Sequence, residues 1–172
     1  MDIDTLIGLD RQLLLLMNGS DSLFLDGVVA TLTNGLTWIP FYLALFYLVI
    51  KNNETMLQIV LAIGGVAVCI LLADGLADGI VKPLVARWRP TNDPLLKYTV
   101  DVVNDMRGSK YGFFSAHAAN TMSIAVFFCL MVRSKLLSWS IVLWSLVMGW
   151  TRIYLGLHYP GDVLVGFLWG VS

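Results

Sequence analysis

Charge is scarce in this sequence: only 13% of its 172 residues are Asp, Glu, Lys or Arg, against about a quarter in an ordinary soluble domain. Hydrophobic residues make up 58% of the chain, which excludes an intrinsically disordered protein because disorder requires low hydrophobicity. The formal net charge is −1, so the composition indicates no nucleic-acid partner. This shortage of charge predicts an integral membrane protein.

Disulfide and metal-ligand patterns are also lacking. The two cysteines, Cys69 and Cys129, each lie alone in an apolar run without CxxC spacing, so we expect small buried side chains there. The N-terminus, Met1 to Asp4, lacks the basic segment of a signal peptide. Insertion into a membrane is therefore expected to depend on internal segments.

Long apolar runs are plentiful, and a helix needs about 20 such residues to cross a bilayer. Four runs meet or approach this length, and a fifth is expected to be cut short. They cover residues 36–50, 55–82, 115–132, 136–155 and 160–172. Two shorter runs, 6–17 and 23–32, predict interfacial or re-entrant helices.

These runs predict an all-α fold, a polytopic transmembrane helical bundle with about five spans. We expect one membrane-embedded domain over residues 1–172, with interfacial helices in 1–34 and a transmembrane core in 36–172. Basic residues favour the cytoplasmic side of a membrane, and Lys51, Arg133 and Lys135 lie in turns between predicted spans. The other basic residues then fall on the extracytoplasmic face, which requires that several of them have a function there.

Ionisable residues interrupt the apolar chain in three clusters at the outer ends of predicted spans. The clusters are Lys82 with Arg89, Ser115 with His117, and Arg152 with His158 and Asp162. Ionisable groups at membrane depth are costly and mark a functional site. We therefore expect the three clusters to converge in one layer near the membrane surface.

The cations of these clusters predict a phosphate site. Lys82, Arg89 and Arg152 lack an obvious set of carboxylates to neutralise all three, and phosphate oxygens would do so. Ser115 occupies an N-cap position, which leaves free backbone N–H groups that bind anions.

The histidines predict acid–base or nucleophilic chemistry. His158 precedes Asp162 by four residues, so the carboxylate can hold one imidazole nitrogen and leave the other free. His117 lies in the first turn of its helix. Two histidines that face one phosphate can divide the reaction, one attacking phosphorus and the other protonating the leaving oxygen.

At these residues the sequence resembles the type-2 phosphatidic acid phosphatases, which share fold and site with vanadium-dependent haloperoxidases. The segment Lys82-x6-Arg89-Pro90 is similar to the first family motif, Phe114-Ser115-Ala116-His117 to the second (Pro-Ser-Gly-His), and Thr151-Arg152-x5-His158-x3-Asp162 to the third. Phe114, Ala116 and Thr151 depart from the motifs, which have proline, glycine and serine there. These changes remove no acid–base or cationic group.

The resemblance implies a membrane lipid phosphatase that acts without metal or other cofactor through a phosphohistidine. In the implied mechanism His158 is the nucleophile, Asp162 orients it, and His117 is the general acid. The implied phosphate ligands are Lys82, Arg89, Arg152, Ser115 and the Ala116 N–H.

The implied substrate is a phosphorylated lipid held in the bilayer: phosphatidate, phosphatidylglycerol phosphate, undecaprenyl pyrophosphate or the phosphorylated glucosamine of lipid A. The implied location is a bacterial-type cytoplasmic (inner) membrane, with the active site on the extracytoplasmic face. The alternative is a non-catalytic membrane protein that binds or transports anionic lipids. The sequence does not predict which oligomeric state the protein has.

Two charged residues outside the motifs have structural interpretations. Asp78 lies four residues before Lys82 on the same helix face, so we expect it to neutralise the lysine. Arg87 lies outside the motif spacing, and we expect an interfacial anchor that extends to lipid headgroups.

Overall fold

A computed structural model describes residues 2–172, and this part of the chain is mainly helical, with eight α-helices and no β-sheet. The helices are α1 (Ile3–Met17), α2 (Leu23–Thr33), α3 (Ile39–Lys51), α4 (Met56–Leu76), α5 (Lys82–Val85), α6 (Ala116–Val132), α7 (Lys135–Tyr154) and α8 (Pro160–Val171). A π-helical segment, Ala77–Val81, joins α4 to α5. The predicted all-α class is confirmed.

Fewer helices have the length of a full span than the five that the sequence predicts. Met56–Val85, which has 30 residues, and Lys135–Tyr154, which has 20, are long and apolar enough to cross a membrane. The pair Leu23–Thr33 and Gly35–Lys51, bent by 65°, qualifies as one further span only when taken together. Because α6 and α8 are apolar but shorter than about 20 residues, the predicted number of five spans is not confirmed.

The surface of α4 is suited to lipid contact. Leu57, Leu61, Val68 and Leu71 on this helix are all more than half exposed. A continuous apolar surface of this kind is unfavourable in water and favourable against lipid tails. The helix begins with a capping box, in which Thr55 and Gln58 satisfy its first N–H groups.

Helices α6 and α8 pack closely because glycine lies at their interface. A Cβ atom at Gly166 would lie 2.5 Å from the backbone oxygen of Ser115, and one at Gly170 would lie 2.5 Å from that of Ala119. Small residues allow this close backbone approach between membrane helices. The packing joins the starts of the two helices, where the Ser115 N–H donates to the backbone oxygen of Asp162 at 3.0 Å.

The segment between α5 and α6 folds over one end of the bundle. The Arg89 N–H donates to the Lys110 oxygen at 3.1 Å, and the Gly112 N–H donates to the Arg87 oxygen at 2.9 Å. The Asn18 amide, just after α1, bonds the backbone oxygens of Tyr154 at 2.8 Å and Asp101 at 3.0 Å. These bonds hold the loop and α1 against the ends of α7 and α8.

Candidate active site

The structure brings all three predicted clusters together at one end of the bundle. Arg89 contacts His158, and Ser115 is bonded to the backbone of Asp162. The cations Arg152, Lys82 and Arg89 lie close enough for their charges to act on the His117 imidazole. Residues separated by up to 80 positions in sequence therefore form one site, as the sequence predicts.

A tight turn after α7 places His158 beside Arg152. Gly156 has φ +65°, a left-handed conformation that glycine adopts without strain. The N–H groups of Leu157 and His158 both donate to the backbone oxygen of Arg152, at 3.0 and 3.2 Å. The chain thereby reverses direction, and the His158 backbone lies against the carbonyl end of α7.

The His158 imidazole lies between a cation and a carboxylate. Its Nε2 atom is 3.0 Å from Nη1 of Arg89, and its Nδ1 atom is 3.7 Å from Oδ2 of Asp162. Because a guanidinium only donates hydrogen bonds, Nε2 is the acceptor and the proton is assigned to Nδ1. Burial lowers the pKa of His158 from 6.5 to about 4, although Asp162 opposes this shift. At neutral pH the imidazole is therefore uncharged, and its Nε2 lone pair accepts the hydrogen bond from Arg89.

Asp162 is completely buried at the start of α8, and its carboxylate has two hydrogen-bond donors. Oδ1 accepts from Nη1 of Arg87 at 2.7 Å, and Oδ2 accepts from the Tyr159 N–H at 3.0 Å. The carboxylate is therefore held in one orientation, with Oδ2 towards Nδ1 of His158.

The cations of the site differ in how many hydrogen-bond acceptors and ion-pair partners the protein provides for them. Arg89 donates to the backbone oxygens of Leu157 and Tyr111, at 3.1 and 3.2 Å, and burial lowers its pKa. Lys82 pairs with Asp78, as the spacing of four residues predicts.

Arg152 is only 8% exposed, yet within residues 2–172 its side chain has neither an ion pair nor a hydrogen bond, and its Nε is fully buried. A buried cation without a partner is unfavourable, so an anion fits beside Arg152.

The start of α6 adds a second feature that suits an anion. Ser115 is the N-cap, as predicted, and its Oγ accepts from the Ala118 N–H at 3.4 Å. The N–H groups of Ala116 and His117 lie in the first turn of α6, where backbone N–H groups have no acceptor within the helix. They are therefore free to bind a ligand. The His117 residue itself is exposed, at the edge of the site.

The comparisons with known proteins agree with this geometry. The sequence model described as the PAP2 superfamily matches residues 62–172, which include all three motifs. The chain belongs to the PAP2 superfamily. It is 38% identical to the lipid A 4'-phosphatase of Bacteroides thetaiotaomicron, over 98% of this chain and 75% of the relative. It is 31% identical to the lipid A 4'-phosphatase of Porphyromonas gingivalis, over 98% of this chain and 71% of the relative.

Two crystal structures share the fold of this PAP2 protein. Aquifex aeolicus LpxE superposes with a TM-score of 0.70 at 24% identity, over 95% of this chain and 90% of that one. A phosphatidylglycerolphosphate phosphatase from Bacillus subtilis superposes with a TM-score of 0.67 at 22% identity, over 97% of this chain and 81% of that one. The predictions of a PAP2-type helical fold and of a membrane lipid phosphatase are confirmed, whereas the roles of individual residues stay predictions.

The interpretation of Arg87 as an interfacial anchor is wrong. Its guanidinium bonds Asp162 and Asp10 of α1, and it lies 4.2 Å from the centre of the Tyr159 ring. The arginine turns inward because the fully buried carboxylate of Asp162 and the partly buried one of Asp10 require a cation more than the lipid headgroups do. The sequence signal that could have revealed this contact is Asp10, a charge within the apolar run of α1.

An apolar groove of about 500 Å³ begins at His117 and runs between α3, α4 and α6 of the PAP2 fold. Its walls are formed mainly by aliphatic and aromatic residues, among them Tyr42, Leu45, Ile63, Ala67, Ile124 and Phe128. The groove therefore joins the polar site to a surface suited to a hydrocarbon chain.

No group of three or more His, Cys, Asp or Glu suited to a metal ion occurs among residues 2–172.

Proposed function

We propose that this PAP2 phosphatase hydrolyses a phosphate monoester on the glucosamine headgroup of lipid A, at the 4' position named for its relatives. The observation that carries the proposal of a phosphate site is Arg152, a buried guanidinium without an anionic partner among residues 2–172. A second arginine of the same cluster, Arg89, contacts the His158 imidazole. The two lipid A 4'-phosphatases, which match nearly the whole chain, support the choice of substrate.

The phosphate is bound by the cations and by the start of α6. Arg152 and Arg89 donate N–H groups to its oxygens, Lys82 contributes its charge, and the Ala116 N–H donates along the helix axis. Ser115 assists by capping α6, which keeps these N–H groups oriented. The bound dianion supplies the negative charge that Arg152 lacks in the free protein.

In the first chemical step, Nε2 of His158 attacks phosphorus and the bond to the sugar oxygen breaks. His117 donates a proton to that oxygen, which leaves as the lipid alcohol. The phosphorylated imidazole is positively charged on its ring, and Asp162 stabilises this charge through the Nδ1 proton. The lysine and arginines stabilise the negative charge on the equatorial oxygens in the transition state.

In the second step, water attacks phosphorus and the bond to Nε2 breaks. His117, now neutral, accepts a proton from this water, so the enzyme returns to its starting protonation state. Inorganic phosphate is released. The residues present suffice for both steps, and we propose that the reaction requires no metal ion.

The substrate's acyl chain is proposed to occupy the apolar groove beside His117. A lipid headgroup at the site leaves its hydrocarbon chains at membrane depth, where the groove is open. Lys51, Arg133 and Lys135 favour the cytoplasmic side and lie at the opposite ends of the helices. These positions support an active site on the extracytoplasmic face of a bacterial cytoplasmic membrane.

A substrate panel tests the proposed function. Purified protein in detergent with EDTA is expected to release phosphate from bisphosphorylated lipid A with the highest kcat/KM. Phosphatidate, phosphatidylglycerol phosphate and undecaprenyl pyrophosphate are expected to be poorer substrates. Mass spectrometry of the product should show that the 4'-phosphate has been lost.

Other results of this panel would contradict the proposal in distinct ways. A higher kcat/KM for a glycerophospholipid or a polyprenyl pyrophosphate would overturn the choice of lipid A. Loss of activity in EDTA that returns with a divalent cation would overturn the metal-independent mechanism. Binding of these lipids without any phosphate release would favour the alternative of a non-catalytic lipid-binding protein.

Narrowing the groove is expected to weaken lipid binding selectively. Ala67 lines the groove, so Ala67→Phe should raise KM for the lipid substrate about tenfold, which corresponds to about 1.4 kcal/mol. Hydrolysis of p-nitrophenyl phosphate, which has no acyl chain, should not change. Val68→Phe is the matched control, since Val68 is 52% exposed on the same helix and does not line the groove. Equal KM values for both variants would argue against the groove as the acyl-chain site.

A further inference from the structure

A chain of charged contacts connects the N-terminal helix to the catalytic carboxylate. Arg87 bonds Oδ1 of Asp162 through Nη1 at 2.7 Å and pairs with Asp10 through Nη2. The other Asp10 oxygen accepts from the Gly161 N–H at 2.7 Å, one residue before Asp162. Asp10 therefore holds both Arg87 and the first turn of α8.

The orientation of the Asp162 carboxylate depends on this chain. Oδ2 has the Tyr159 N–H as a donor and lies 3.7 Å from Nδ1 of His158, which is longer than a hydrogen bond. Within residues 2–172 the Arg87 guanidinium and the Tyr159 N–H are the hydrogen-bond donors to this carboxylate, so loss of the Arg87 bond would leave Oδ1 without a donor. Neighbours that hold a catalytic group in place strongly affect activity even though they do not touch the substrate.

We propose that Arg87 is a positioning residue: it holds Asp162 so that Oδ2 faces His158, and Asp10 of α1 in turn holds Arg87. The inference rests on the proposed phosphohistidine mechanism. In that mechanism the imidazole moves closer to Asp162 as its charge develops, and a fixed carboxylate meets it without rearrangement. The N-terminal helix is thereby a functional part of the site.

The position of Arg87 is stabilised on three sides. Its guanidinium lies over the Tyr159 ring, 4.2 Å from the centre, and Tyr159 donates its hydroxyl proton to Asp93 at 2.7 Å. The side chain is one quarter exposed and contacts two carboxylates, so it forms charge-assisted hydrogen bonds with limited screening. A planar guanidinium can make all of these contacts at once, whereas a lysine ammonium could make only some of them.

Kinetic measurement of Arg87→Gln tests the inference. We expect kcat to fall about tenfold to hundredfold, the range typical of residues that orient a catalytic group, while KM for the lipid stays unchanged. Arg87→Lys keeps the charge but offers no planar fork, so its kcat should lie between those of the wild type and Arg87→Gln. Asp10→Asn, which removes only the second partner of Arg87, should lower kcat by a smaller factor.

The pH profile separates positioning from a general loss of structure. The charged and titratable groups around His158 and Asp162 are Arg87 and Arg89 of the loop, Lys82 of α5, Asp78, Asp10 of α1, His117 of α6, Arg152 of α7, and Tyr159. Loss of the Arg87 charge removes a cation near His158, so protonation of this imidazole becomes easier. The acid limb of kcat should therefore move upwards by about one pH unit in Arg87→Gln and stay in place in Arg87→Lys.

A matched arginine provides the control. Arg11 follows Asp10 on α1 and pairs with Asp93 at 3.5 Å. Arg11→Gln should leave kcat and the acid limb unchanged, because neither Arg11 nor Asp93 contacts Asp162. An equal loss of kcat in Arg11→Gln and Arg87→Gln, without a shift of the acid limb, would show a structural role and overturn the inference.

The outcomes for Arg87 and for the proposed function are distinguishable. Wild-type kcat and acid limb in Arg87→Gln, together with an inactive His158→Ala, would overturn only the positioning role. No phosphate release by the wild type would overturn the proposed function itself. Thermal unfolding in detergent shows whether Arg87→Gln folds. If it does not fold, Arg87→Lys and Asp10→Asn test the inference in its place. Wild-type kcat in both of these variants would overturn the inference.

Discussion

Replacing His158 with alanine is expected to lower phosphate release from the lipid substrate by about 10⁴-fold or more, because the reaction loses its nucleophile. The imidazole is buried and uncharged, and Nε2 faces Arg89 where the phosphate is proposed to bind. Phosphate release by purified wild-type and variant protein in detergent, at saturating substrate, measures this effect. Equal thermal unfolding of the two proteins shows that the variant is folded.

Labelling tests the proposed phosphohistidine intermediate directly. Wild-type protein mixed with ³²P-labelled substrate and quenched in alkali should carry label on His158, because phosphohistidine is stable to alkali. His158→Ala should carry none. Turnover by His158→Ala near the wild-type rate, or label on another residue, would mean that His158 is not the nucleophile.

His117→Ala is expected to produce the second-largest loss, and its size should depend on the leaving group. With a lipid sugar alcohol as the leaving group, kcat should fall about 10²–10⁴-fold, because an alkoxide leaves poorly without a proton. With p-nitrophenyl phosphate, whose phenolate leaves without protonation, the first step should be much less affected. The ratio of the two losses, measured with the same variant, reports the general-acid step.

Asn120→Ala is the matched control for His117→Ala. Asn120 lies one turn further along α6, lines the same groove and bonds Asp74, but it has no proton to donate as an acid. It should lower kcat for both substrates by the same small factor. A loss in His117→Ala that is equally large for both leaving groups would show that His117 does not protonate the leaving oxygen.

The positions of the three motifs were predictable from the sequence for a physical reason. Lys82, His117 and Arg152 are ionisable residues near the ends of apolar runs, and such residues remain in a membrane protein only where they are used. The N-cap at Ser115 was also predictable, because capping depends on a few adjacent residues.

The environment of Asp162 was only half predictable. Its spacing from His158 indicated the pair, since four residues place two side chains on one side of a turn. Its contact with Arg87 was missed, because Arg87 lies 75 residues away and outside the motif spacing. The spans show a similar limit: the apolar runs predicted the helices, but run length did not predict the 65° bend between α2 and α3.

The sequence by itself determined the helical class, the membrane setting and the candidate residues of a phosphate site, because composition, apolar run length and motif spacing are local properties of the chain. Only the tertiary structure decided that Arg87 and Asp10 support Asp162, that Arg152 lacks an anionic partner, and that an apolar groove begins at His117. These features depend on helix packing between distant segments, above all the close contact of α6 and α8 at Gly166 and Gly170.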